Sequence, residues 1–196
     1  MNSGISWNEL KLNTAIKDYN DKKYKQAFES FYDFVTTPRS ESRKPSNIKI
    51  IGLATYYMAL CYMYGNGVEQ DIERAIGVAE YLHKYKKYED AWNIYSELAK
   101  ADNIKLDALT RMANYYNNGY VKKDERLIFE IALELYSKKQ YKDAYNIFLK
   151  LTNSNDSEIK LITTCIKASY YITGYNDVRK NKNKAIELII KDITQS

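Results

Sequence analysis

Residues 132–151 read ALELYSKKQYKDAYNIFLKL. Together with the residues just before them, they carry two apolar stripes around a polar turn. Ile128, Ile131, Ala132, Leu135 and Tyr136 recur at steps of three and four, which marks one face of an α-helix. Ser137-Lys138-Lys139-Gln140 makes the turn, and Tyr141, Ala144, Tyr145, Phe148 and Leu151 form the second stripe. The pattern predicts a helical hairpin. Residues 15–34, AIKDYNDKKYKQAFESFYDF, and 79–98, AEYLHKYKKYEDAWNIYSEL, align with it without gaps. Ala15, Ala79 and Ala132 coincide, as do Tyr24, Tyr88 and Tyr141, then Ala27, Ala91 and Ala144, then Phe31, Tyr95 and Phe148. Small residues facing one another across a tight turn let two helices approach closely, with aromatics filling the space beside them.

The copies start 64 and 53 residues apart. Self-similarity at such a period is the signature of a solenoid, whose units bury their apolar faces against their neighbours. With two prolines and seven glycines in 196 residues, helix is expected almost throughout. Ten helices are expected, near 6–20, 23–36, 47–64, 71–86, 88–100, 104–118, 124–138, 141–152, 157–173 and 182–193. They form one all-α domain with units at about 10–64, 71–118 and 124–173 and a C-terminal helix at 182–193. Residues 36–47, which hold both prolines, are expected as an exposed loop. Each 53-residue period then contains three helices, an odd number for a two-layer array. Either equivalent helices swap layers, or one long helix at 71–86 serves two units; both readings stay open.

The small residue in each first helix, the second 12 positions on, the Tyr three before the latter and the aromatic four after it resemble the tetratricopeptide repeat. The family's early large aromatic is replaced by Lys11, Ala75 and Ile128, and its closing proline is absent, so the copy is divergent. A second motif lies between the hairpins: Met58-Ala59-x-x-Tyr62-x-x-Gly65-x-Gly67-Val68-x-x-Asp71-x-x-x-Ala75. It is similar to the Sel-like repeat. Gly65 suits a helix end at positive φ, and Asp71 suits the cap of the next helix. Weaker copies run from Met112 through Gly119 to Asp124 and from Ala168 to Gly174. The two motifs cover roughly residues 10–190, and the resemblance implies a right-handed α-α superhelix.

No chemistry-bearing constellation emerges. The single histidine, His83, aligns with Tyr19 and Tyr136, which marks a packing position. No phosphate-cradling glycine loop, nucleophile elbow or metal-ligand spacing occurs, so no enzyme activity and no cofactor is expected. Cys61 and Cys165 lie in apolar segments and are expected to be buried thiols in a reducing compartment. The N-terminus, MNSGISWNELKL, lacks a signal-peptide pattern, and no apolar run approaches a membrane span, which leads to a cytoplasmic expectation.

The expected function is a non-enzymatic scaffold or adaptor that binds a partner protein or peptide in a groove. Asn93 and Asn146 are equivalent across copies, and an amide side chain can grip both N–H and C=O of an extended chain. The resemblance to tetratricopeptide proteins adds Tyr57, Arg111 and Asn114 as further peptide-binding candidates. Lysines recur at the turns, notably Lys86-Lys87 and Lys138-Lys139 after Lys22-Lys23. They offer either a basic edge for RNA or an anionic membrane, which is the alternative function, or solvated turns. The last helix carries Ile186, Leu188, Ile189, Ile190 and Ile193 around much of its surface, so self-association through it is a further expectation.

Overall fold

The computed structural model describes residues 6–36, 45–174 and 179–194. Ten helices occur among them and no strand: α1 Trp7–Asn20, α2 Tyr24–Thr36, α3 Pro45–Tyr64, α4 Ile72–Lys84, α5 Tyr88–Leu98, α6 Lys105–Asn117, α7 Glu125–Ser137, α8 Tyr141–Leu151, α9 Ser157–Thr173 and α10 Lys182–Thr194. Every helix end falls within two residues of its expected place. Most of the expected loop at 36–47 and the side chain of Ile193 lie outside the described residues.

Polar caps start several helices. Ser6 and Glu9 form a reciprocal capping box on α1, and Asp71 accepts the backbone N–H of Arg74 at 2.9 Å to begin α4. Asp124 and Asp156 cap α7 and α9 in the same way. Helix ends come in two kinds. At the hairpin turns a lysine takes the left-handed conformation, with φ of 62° at Lys22, 59° at Lys86 and 64° at Lys139. The next residue then reaches back to close the turn, with Lys23, Lys87 and Gln140 donating to the carbonyls of Asp18, Leu82 and Leu135 at 2.8 Å each. After α3, α6 and α9 glycines do this work, with Gly65, Gly119 and Gly174 at φ of 69°, 71° and 76°.

The chain divides into two compact units, Met1–Lys100 and Ala101–Ser196. In the first, α2 packs on α1 and α3, α4 packs on α3 and α5, and α3 touches both α1 and α5. Thus α1, α3 and α5 make one layer, with α2 and α4 on the other. Equivalent helices α1 and α4 therefore lie in opposite layers, and the odd period is resolved by the swap. The aligned positions are the core: Ala15, Ala27, Ala79 and Ala91 are at most 1% exposed and Phe31 and Tyr95 at most 2%. The α3–α4 loop returns onto the start of α2. A Cβ added at Gly67 would stand 2.3 Å from the carbonyl oxygen of Tyr24, and Asn66 donates to the Tyr19 hydroxyl at 3.0 Å.

In the second unit α7 packs on α6 and α8, α6 touches α8, α9 packs on α8, and α10 rests on α9. Ala132, Ala144 and Phe148 are fully buried, and the Tyr170 hydroxyl donates to the Tyr141 carbonyl at 3.0 Å. Cys61 is buried in α3, where loss of solvation pushes its thiol up to about 12. Cys165 departs from expectation and is exposed. Thr164 and Ala168 turn inward on α9, and of the three positions between them Cys165 faces solvent.

Candidate functional site

Where α5 lies beside α3, four positions of α5 at helical spacing, Asp90, Asn93, Ser96 and Glu97, face Leu53 and Tyr56 of α3. They line a polar pocket of about 260 Å³. One end is set by a helix-interior glycine: a Cβ at Gly52 would come within 2.6 Å of Asp90 Oδ2. The missing side chain lets the carboxylate settle against the α3 backbone, half-buried. No hydrogen-bond donor among the described residues reaches it. Loss of solvation raises its pKa above the ordinary carboxylate range, and the charge of Lys87 only partly counters this. Burial, followed by the charge of Glu97, pushes the Tyr56 hydroxyl up to about 12. Glu97 itself pairs with Lys100 at 2.7 Å and accepts the Tyr64 hydroxyl at 3.4 Å. The pocket thus offers two carboxylates, a carboxamide and a phenol on one face, an arrangement suited to donors.

Asn93 is the one sequence-predicted peptide residue in this pocket, exposed on α5. Tyr57 turns instead into an aromatic cluster, stacked on Phe31 at 5.1 Å and set edge-on to Tyr19 at 5.3 Å. It borders the pocket only through Tyr56, whose ring lies 5.6 Å away. In the second unit Arg111 pairs with Asp107 at 3.0 Å, Asn114 is exposed on α6 and Asn146 is exposed on α8. The positions there that match Gly52 and Glu97 are Leu106 and Lys150. Lys150 sends its ammonium to the carbonyls of Tyr116 and Asn117, at 3.2 and 2.7 Å, rather than into a pocket.

Asp90, Tyr56 and Glu97 escaped the sequence reading. Asp90 stands in the first turn of α5, where the helix dipole favours any acid, so its residue type alone carries no signal. The available signal was Gly52, a glycine inside an otherwise apolar helix.

Lys86, Lys138 and Lys139 are exposed and Lys87 is half-buried. Gly67 places the α3–α4 loop beside the start of α2, and α4 then runs 13 residues to the Lys86-Lys87 turn. That turn lies at the opposite end of the unit from Lys22-Lys23, about 20 Å away along the helix. Equivalent lysine turns therefore do not line one edge of this unit. Among the described residues, no helix is long and apolar enough to cross a membrane, and no three His, Cys, Asp or Glu side chains cluster as metal ligands.

Residues 52–77, 106–138 and 168–191 match the Sel1 repeat. These segments pair most of α3 with α4, α6 with α7, and the end of α9 with α10. The crystal structure of a Sel1 repeat protein from Oxalobacter formigenes is 18% identical, covers 94% of this chain and 70% of that one, and superposes with a TM-score of 0.34. No curated protein matches the chain significantly. Sel1-repeat proteins generally mediate protein–protein interaction and are typically non-catalytic scaffolds. Three Sel1 repeats, which are tetratricopeptide-like, are thus detected along the chain.

Proposed function

We propose that this protein is a non-enzymatic scaffold that holds an extended segment of a partner protein across α3 and α5. The observation that carries the reading is the Asp90 carboxylate, half-buried against Gly52 with no donor among the described residues. A desolvated carboxylate without a partner is unfavourable until a donor arrives, so a cationic side chain from outside gains more here than on an open surface. An arginine or lysine of the partner donates to Asp90 and Glu97. Asn93 takes the N–H and C=O of the partner's backbone, Tyr56 offers its hydroxyl, and Leu53 supplies apolar contact. On the second unit, taken by itself, Asn146, Arg111 and Asn114 offer further polar contacts. The reading assumes a reducing cytoplasm, in which the exposed Cys165 stays a thiol.

The test uses the full chain as bait at moderate salt, beside Asp90→Asn and Asn93→Ala. Helical content is followed by circular dichroism to show that each variant is folded. The expected outcome is a captured protein whose bound segment, mapped on peptide arrays, contains a lysine or arginine and whose capture fails with either variant. Capture that ignores both substitutions, or no capture from any extract, sinks the proposal.

A further inference from the structure

A second and larger cleft opens on the other layer of the first unit. Helices α2 and α4 both pack on α3 rather than on one another, which leaves a slot of about 680 Å³ between them. Met58 and Tyr62 form its floor, Val35 and Tyr32 one wall, Val78 and Tyr81 the other. Tyr32 and Tyr81 are 48% and 49% exposed at the rim. Gly77 sits mid-way along α4 in the same wall, and a Cβ added there would meet nothing within 4 Å. A glycine inside a helix weakens it. At Gly52 the reason lies in the fold, since Asp90 occupies the space. At Gly77 no described neighbour gives a reason, and a helix docked in the slot would.

The chain also carries a surface of the matching kind. On α10, Ile186 and Ile190 are 56% and 55% exposed, one helical turn apart, forming a stripe directed away from α9. Helices α2, α4 and α10 are each 13 residues long, so the stripe and the slot agree in length. The charges are complementary. At the slot's end Asp71 is already paired with Arg74, while Glu73 makes no ion pair among the described residues. Helix α10 carries the exposed Lys182 and Lys191 beside its isoleucines.

We infer that α10 of a second copy of this chain docks in the α2–α4 slot, with Ile186 and Ile190 between Tyr32 and Tyr81 and a lysine on Glu73. The contact joins two different patches, so it is heterologous and builds either a closed ring or an open filament. It is independent of the peptide pocket on α3 and α5.

Sedimentation of the full chain over a wide range of concentration tests the inference, beside Gly77→Leu, which fills the slot, and Ile190→Lys, which charges the stripe. Tyr81→Glu serves as a second slot variant in case Gly77→Leu perturbs α4, and circular dichroism checks each fold. The wild-type chain is expected to gain mass with concentration and each variant to stay monomeric. A mixture of a slot variant with Ile190→Lys is expected to form a one-to-one pair, because each supplies the surface the other lacks. A wild-type chain that is monomeric throughout overturns the inference. So does association of the folded slot variants alone, as stripe-on-stripe pairing predicts, or a mixture that stays monomeric.

Discussion

The imidazole of His83 stands 5.3 Å from the ring of Tyr88, inclined at 62°. Tyr19 meets Tyr24 at the same 5.3 Å and 69°, and Tyr136 meets Tyr141 at 5.3 Å and 70°. The lone histidine is thus one of three equivalent aromatic staples across the hairpin turns. Edge-to-face pairs of this kind contribute about 0.5–1.5 kcal/mol beyond their buried area. Replacing His83 with Tyr is expected to leave the urea midpoint within error, and His83→Ala to lower stability by about 1–2 kcal/mol. Partner capture is expected to survive His83→Tyr unchanged, which a catalytic or ligating histidine would not allow.

The lysines at the turns hold a backbone conformation that L-residues adopt at a penalty of about 1–2 kcal/mol. Glycine relieves it while adding freedom to the unfolded chain, so Lys86→Gly and Lys139→Gly are each expected to stabilise by about 0.5–1 kcal/mol. Matched unfolding curves in urea measure this directly. Destabilisation by either substitution would mean that the lysine side chain, not its φ, is what the turn requires.

Two glycines are expected to respond with opposite signs. Gly67→Ala drives a methyl to 2.3 Å from the Tyr24 carbonyl at a φ of 79°, and a loss of about 2–3 kcal/mol is expected. Gly77→Ala meets open space in a helix and is expected to gain about 0.5–1 kcal/mol. Thermal unfolding of the two variants side by side reads the contrast.

Asp90 has a folded-state pKa raised above its unfolded value by loss of solvation. Between those two values the native state binds more protons than the unfolded one, so stability falls as pH rises through that window. Asp90→Asn removes the slope. The stability difference between the two proteins is expected to change from the unfolded carboxylate pKa upward and to level off above the raised folded-state pKa. Parallel curves across that range would show that Asp90 is solvated and would remove the ground for its role in the pocket.

Helix positions and the staples were legible because they rest on local periodicity and on small residues opposed at fixed spacing. Ala15 faces Ala27 and Ala79 faces Ala91 whatever layer their helices occupy. The layer itself was not legible: it depends on which helices touch at a distance, and α1 and α4 present the same pattern of alanines and aromatics from opposite sides. The pocket was half legible. Asn93 stood out by its recurrence at Asn146, whereas Asp90 gains its character from Gly52, 38 residues away in sequence and in contact only after folding. Cys165 misled because an apolar run cannot by itself say which of its members turns outward.

The alternation of layers bears on how such a chain can evolve. Duplicating a three-helix unit preserves every internal contact but inverts the parity of its helices, so a surface residue and its copy meet different surroundings. Glu29 on α2 and Asn93 on α5 occupy one register, yet α2 shares a layer with α4, and α5 with α3. Selection for a binding face then acts on every second copy of a position, while selection for packing acts on all of them. Within the first unit, buried alanines and aromatics can therefore stay in step while the surface positions of the two copies differ, as Glu29 and Asn93 do.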